Sequence, residues 1–151
     1  MPQTLAAIYV HCLFSTKLCE PLLADKVLRS HIHASLTSAA KYNSCPPLAV
    51  GGTSDHVHML VKLGRNVTVS ECIQELKQTS AERAQQLSPS LRNFAWQLGY
   101  GAFSVDQAGL EAMKDSIKSQ EEHHKTETFK EEFLRLLAEH DLIWEDRYIW
   151  D

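Results

Sequence analysis

Residues 54–61 read Ser-Asp-His-Val-His-Met-Leu-Val, so that His56 and His58 flank a single apolar residue. In an extended strand, side chains two apart point to the same face. Both imidazoles then converge on one point, a poor use of core space but a good way to hold a metal ion. The spacing also fits two histidines on a half-exposed strand, so the motif needs support from elsewhere in the chain. A second cluster is Ser116-Ile117-Lys118-Ser119-Gln120, followed by Glu121-Glu122-His123-His124. Positions 116 and 120 are one helical turn apart and share a face, so a hydroxyl and an amide carbonyl line up along one helix edge.

The elements that must position these residues are legible in outline. Residues 6–14 are β-branched and aromatic over strand length. A helix is expected over about 23–41, where Leu23, Val27, Ile32, Leu36 and Ala39 recur near helical spacing. The breaker cluster Tyr42-Asn43-Ser44 with Pro46-Pro47 ends it. A short strand at 48–50 turns through Gly51-Gly52-Thr53-Ser54-Asp55 into the strand of His56 and His58, a hairpin. Ser70 is expected to cap a second helix reaching about Gln86. Residues 94–105 form an aromatic strand region interrupted by Gly99 and Gly101. A third helix is expected over about 109–124 and a fourth over 126–139. The tail, with Ile143, Trp144, Tyr148, Ile149 and Trp150, is too apolar to be solvated. The order β-α-β-β-α-β is that of a ferredoxin-like split βαβ sheet in an α+β fold. It predicts strand order 4-1-3-2, with the histidine strand inside and facing the third helix.

The chain has 151 residues, 44% hydrophobic and 23% charged, which suits one domain over 1–151 with an ordinary core. No repeat, linker or low-complexity tract divides it. No run approaches the ~20 apolar residues of a membrane span, and no secretory signal is visible. Cys12, Cys19, Cys45 and Cys72 are scattered, without a Cys-x-x-Cys pair, which points to free thiols, a cytoplasmic location and no cysteine-ligated zinc. The net charge of −4 opposes non-specific nucleic-acid binding but leaves room for a local basic face.

The Asp-His-Val-His-Met-Leu-Val strand, the Trp-Gln-x-Gly-Tyr-Gly-Ala-Phe-Ser-Val segment at 96–105 and the x-Ile-x-x-Gln-Glu-Glu-His-His helix at 116–124 occur in one order. Together they resemble the tyrosine transposases of the HUH single-strand nuclease class, in the insertion-sequence-200-like and REP-associated branch. The resemblance runs over about 8–151, including Phe-Ser-Thr-Lys at 14–17 and Asp-Arg-Tyr-Ile-Trp-Asp at 146–151. It implies that His56, His58 and Gln120 hold a Mg²⁺ or Mn²⁺ ion, which acts as a Lewis acid on a phosphate oxygen of single-stranded DNA. In the family, a tyrosine one turn before the Gln attacks, giving a 5′-phosphotyrosine and a free 3′-hydroxyl, so that strands rejoin without ATP. The resemblance also implies hairpin-bearing DNA as partner and a homodimer in which the late helix can complete the partner's site. Lys17, Lys77 and Arg83 fall at positions resembling the family's basic DNA contacts.

The chain departs from this pattern at Ser116, which stands where the pattern has tyrosine. A serine is several ångströms shorter, and its alkoxide is a poorer leaving group than a phenolate. Tyr9, Tyr42, Tyr100 and Tyr148 have no motif that would make one of them a substitute. Cys19 stands where relatives often carry a basic residue, removing one phosphate contact. Three functions are therefore weighed: an active transposase, a domesticated DNA-binding protein without chemistry, and a metal-dependent phosphodiesterase using water. Plainer readings attach to the remaining residues. Lys77 and Arg83 also fit an ordinary solvated helix face. His123 and His124 read as a solvated helix end beside Glu121 and Glu122, His11 as a satisfied buried histidine, and Trp96, Phe103, Trp144 and Trp150 as core or dimer packing.

Overall fold

The computed structural model describes residues 2–151. Strands β1 (Tyr9–Ser15), β2 (Pro47–Gly52), β3 (His56–Lys62) and β4 (Gly101–Val105) form one antiparallel sheet in the order β2-β3-β1-β4. This is the 4-1-3-2 order that the element sequence predicts. Helices α1 (Lys26–Tyr42) and α2 (Val69–Leu87) are the two crossovers. Three further helices follow β4: α3 (Leu110–Lys118), α4 (Gln120–His123) and α5 (Phe129–Glu139).

The inner strands β1 and β3 are buried on both faces, and their alternation divides the core in two. Val10, Cys12 and Phe14 of β1 and Val57, Met59 and Val61 of β3 share one face with Ile32 and Leu36 of α1 and Ile73 and Leu76 of α2. The alternate residues face the C-terminal helices. Leu13 packs with Phe103, Phe129, Phe133 and Leu137, and Leu60 with Ala49, Leu110 and Ile117. His11, His56 and His58 lie on this second face, where Leu13 is paired with His58 and His11 with Leu60. Each of the large apolar side chains contributes about 1.5–3 kcal/mol by leaving water.

Strand β1 and helices α1 and α5 each start three residues later than the sequence suggests, and three further boundaries differ for identifiable reasons. Helix α2 begins earlier because Thr68, not Ser70, is its cap: its side chain accepts from the Glu71 N–H at 3.1 Å. Thr68 and Glu71 form the Thr-x-x-Glu capping pattern, and Thr128 with Glu131 repeats it at the start of α5. The expected strand over 94–105 is a strand only from Gly101. Upstream, Trp96 turns into the core, edge-on to Phe14 and Phe94, and donates from Nε1 to Ser80 Oγ at 2.9 Å. The expected continuous third helix breaks at Ser119 (φ −100°, ψ 23°), whose hydroxyl donates back to the Asp115 carbonyl at 2.8 Å. A serine bonded to the preceding turn in this way bends a helix. Here the bend separates α3 from α4.

Gly51 sets how closely α3 can lie on the sheet. A Cβ at Gly51 would sit 2.1 Å from the Ile117 carbonyl oxygen, a backbone atom that cannot swing aside. Gly51→Ala is therefore expected to push α3 off β2 and to cost at least the 1–3 kcal/mol of an overpacked site, roughly estimated. A thermal melt checks this, with a lowered midpoint as the expected result.

Candidate metal centre

Strand β3 delivers His56 and His58 to one face, fully buried at 0% and 2% exposure. The His56 Nδ1–H donates to Asp55 Oδ1 at 2.8 Å, and Thr53 Oγ1 lies 3.0 Å from the same nitrogen. That carboxylate fixes the ring and directs the Nε2 lone pair inward. Facing it at 3.1 Å is Oε1 of the buried Gln120, at the start of α4, while the Gln120 amide N–H donates to the Ser116 carbonyl at 3.2 Å. With the His56 proton on Nδ1 alone, either orientation of this amide sets one acceptor against another. A cation at His56 Nε2 relieves the clash, and a separation near 3 Å is that of adjacent donors about 2.1 Å from an octahedral ion. The donor set thus fits a metal.

His58 is held by a second chain of bonds. Its Nε2–H donates to Glu132 Oε1 on α5 at 2.7 Å, and its Nδ1 accepts from His11 Nε2 at 2.7 Å. His124 Nε2 lies 3.2 Å from Glu132 Oε1, and His123 Nε2 lies 2.9 Å from Oε2. Burial pushes the His58 imidazole down to about 4, although its bond to Glu132 opposes the shift. His11 falls to about 3, by burial and then by the neighbouring His58. Burial alone would raise the Glu132 carboxyl, but hydrogen bonds from His124 and His58 outweigh it and hold the group well below the usual carboxylate range. For His124, burial is outweighed by the same carboxylate, and its pKa is raised. The result is an ionised carboxylate, 3% exposed, among imidazoles. His56, His58, His124 and Glu132 each offer a donor atom, all within 4.8 Å of one another, so this His/Glu cluster could hold a metal.

The reading of His124 as part of a solvated helix end is thus corrected: its side chain is 8% exposed and bonded to Glu132. His123, 36% exposed, bridges Glu127 and Glu132. His11 is buried and satisfied, as expected, and its partner is a histidine of the cluster. Glu132 was absent from the sequence reading. The available signal was its place in the stripe Phe129, Glu132, Phe133, Leu136 and Leu137, a polar residue at a core position of an amphipathic helix.

The remaining sites are dispersed. Ser116 is exposed on α3, and only its carbonyl contacts Gln120. Lys77 is half-buried, and its ammonium donates to the carbonyls of Gln97 at 2.7 Å, Leu98 at 3.3 Å and Gly99 at 2.5 Å, with Nζ 5.2 Å from the Phe14 ring centroid. Burial pushes it down to about 8. It clamps the segment that the sequence suggested as strand. Lys17 and Arg83 are exposed. The tail docks in part: Gln97 donates to the Ile149 carbonyl at 3.0 Å, and Trp150 packs on Phe129 and Phe133, whereas Ile143 is 99% exposed.

His58→Ala removes the donor at the middle of this network. It is expected to abolish Mn²⁺ binding by titration calorimetry while the far-UV circular dichroism stays folded. Unchanged binding would place the ligands elsewhere.

A family model described as "Transposase IS200 like" matches residues 4–120. No curated protein matches the chain. Among solved structures, a proposed transposase from Deinococcus radiodurans superposes with TM-score 0.61 at 20% identity, covering 80% of this chain and 95% of that one. A REP-associated tyrosine transposase, solved bound to a REP hairpin, superposes with TM-score 0.55 at 12% identity, covering 78% of this chain and 70% of that one. At these identities the superpositions establish a shared fold.

Proposed function

We propose that this chain, which belongs to the IS200-like transposase family, binds hairpin-bearing single-stranded DNA without completing the family's phosphotyrosine chemistry. The observation that carries this reading is the chain Ser116–Gln120–His56. Gln120 touches the buried His56 on one side and the Ser116 carbonyl on the other, so position 116 lies one turn from the centre and holds a short side chain. A phosphate seated for a phenolic oxygen lies beyond the reach of serine Oγ, and a misplacement of about 1 Å can cost 10²-fold in rate. A divalent ion bound by His56, His58 and Gln120, Mg²⁺ or Mn²⁺ by family resemblance, would supply Lewis-acid polarisation of a phosphate oxygen. The chain's own residues orient that centre: Asp55 fixes His56 at Nδ1 and His11 fixes His58 at Nδ1, and the His58 Nε2 now bonded to Glu132 would turn to the ion.

Recognition of hairpin DNA is supported by family membership and by the hairpin complex of the structural neighbour. The same reading makes the protein a cytoplasmic homodimer; no helix among the described residues is long and apolar enough to cross a membrane. In this reading Lys17 and Arg83 meet phosphates. Lys77, already holding three carbonyls, keeps the 97–99 segment in place.

Fluorescence anisotropy with a labelled single-stranded hairpin, an unstructured strand of equal length and a blunt duplex tests the reading. Preference for the hairpin supports it, and equal or absent binding overturns it. Arg83→Ala is expected to weaken hairpin binding with an unchanged melting midpoint, because Arg83 is exposed. Lys77→Ala should instead lower the midpoint, because it leaves carbonyls without their charged donor, at a cost of about 1–3 kcal/mol.

A further inference from the structure

We infer that Arg29 is a phosphate-binding residue held in reserve by Glu121, in a cleft between α1 and the α3–α4 bend that takes a backbone phosphate of the single strand beside the hairpin. The inference rests on the proposed reading for its ligand, single-stranded DNA with a hairpin.

Three observations carry it. The first is position. One cleft of about 370 Å³ lies over the metal centre, with Asp55 and His124 in its lining. A second, of about 410 Å³, is lined by Lys26, Ser30 and His33 on α1, by Gly51 on β2, and by Lys118 and Ser119 at the bend. Arg29 and Glu121 line both clefts, so their ion pair is the wall between them. With that pair parted, one groove leads from Lys118 along α4 toward the centre.

The second is the unequal burial of the pair. Arg29 is 8% exposed, whereas the Glu121 side chain is 56% exposed. Water can therefore take over the carboxylate at little cost, but the guanidinium needs another anion. Its NH2 group donates to Glu121 Oε1 at 2.8 Å, and its other N–H groups have no protein partner among the described residues. A guanidinium with donors to spare suits a phosphate, which it can hold with two parallel bonds.

The third is the charge and the unused donors around it. Lys118 makes no ion pair among the described residues, and Lys26 reaches Glu121 only at 3.7 Å. Glu122, the other carboxylate lining the cleft, is already paired with Lys125 at 2.8 Å. Once Glu121 moves aside, the cleft presents Lys26, Arg29 and Lys118 to an arriving anion. His33 adds a donor: its Nε2 is the one buried side-chain polar atom without a partner among the described residues. Burial pushes this imidazole down to about 4, so the ring is neutral and can turn an N–H toward a phosphate oxygen.

The test measures fluorescence anisotropy on a labelled hairpin with a single-stranded flank, and on the same hairpin without it, over a series of NaCl concentrations. The chains are the unmodified one, Glu121→Gln, and Arg29→Met, which keeps an apolar stem in the buried position and removes the charge. Glu121→Gln removes the competing anion and is expected to tighten the flanked hairpin about fivefold while leaving the unflanked one unchanged. Arg29→Met is expected to weaken the flanked hairpin about tenfold. It should also reduce the slope of log affinity against log salt by about 0.7, the share of one phosphate on a single strand. An uncharged methylphosphonate moved along the flank should find one position that weakens the unmodified chain and has no further effect on Arg29→Met. Equal affinities and slopes for all three chains overturn the inference, as do changes of the same size with and without the flank. Should Arg29→Met fail to fold, Glu121→Gln and the methylphosphonate scan of the unmodified chain decide the matter. Flank-dependent tightening with one sensitive position supports the cleft, and the lack of either overturns it. An unflanked hairpin bound no better than a duplex sinks the DNA-binding reading, whereas a bound hairpin whose flank is indifferent to Arg29 and Glu121 sinks only the cleft.

Discussion

Glu132→Ala is expected to destabilise the metal-free protein by about 3–5 kcal/mol, the cost of removing one partner from a buried ion-paired network. That is a large share of the roughly 5–15 kcal/mol that holds a domain together. Glu132 is 3% exposed and lies within hydrogen-bond reach of His58, His123 and His124. Its loss strands the imidazole N–H groups of His58 and His124, leaves His123 on Glu127 alone, and unfastens α5 from β3. Urea denaturation checks the value: the midpoint should fall sharply with little change in slope. The same network sets the acid response. His58 and His11 have folded pKa values near 4 and 3, below their unfolded 6.5. Below pH 6.5 the unfolded chain therefore binds protons that the folded chain refuses, and stability drops as pH falls from 6.5 toward 4. Glu132, depressed below its ordinary 4.5, adds a further loss as acid protonates it. His124, whose pKa is raised, acts in the opposite sense and stabilises below 6.5. Two depressed histidines and one carboxylate against a single raised histidine give a net loss in acid. An apoprotein as stable at pH 4.5 as at pH 7 would contradict the assigned network.

Ser116→Tyr is expected to convert a binder into a chain that traps DNA covalently. The phenolic oxygen would attack phosphorus, forming the Tyr O–P bond and breaking the P–O3′ bond, with the tyrosine proton passing to the departing 3′-oxygen. The substitution supplies reach and a phenolate able to leave in the reverse step. Position 116 is exposed, so the larger side chain costs little packing. Denaturing electrophoresis with labelled hairpin DNA reads the result as a protein band carrying label. A folded, hairpin-binding Ser116→Tyr variant with no such band in any of Mg²⁺, Mn²⁺ or Zn²⁺ would mean that the centre itself cannot support the reaction.

The strand that positions the centre was legible because its two-residue alternation has one solution. With Val57, Met59 and Val61 in the helix-covered core, His56 and His58 must face the other way. That Ser116 and Gln120 lie in helical segments was legible, but the single shared face expected from their spacing is not found: the helix breaks at Ser119, and Ser116 is exposed where Gln120 is buried. A local side-chain bond decides that bend, and the apolar pattern runs straight through it. Glu132 was hidden for a different reason. It stands 74 residues from His58 in the chain, and no local pattern says that a glutamate on an amphipathic helix will meet a buried histidine. His124 was hidden by its company, since Glu121, Glu122 and His123 make the segment read as solvated. Lys77 reads as a surface cation until the carbonyls of residues 97–99 turn toward it.

The central claim is that this family member binds its DNA and leaves it uncut. It is tested most directly by incubating the unmodified chain with a 5′-labelled single-stranded hairpin and Mg²⁺, Mn²⁺ or Zn²⁺, then dividing each sample between native and denaturing gels. The account expects a shifted complex on the native gel and full-length, protein-free DNA on the denaturing one. A labelled band at the mass of the chain, or a shortened strand with free ends, would contradict it.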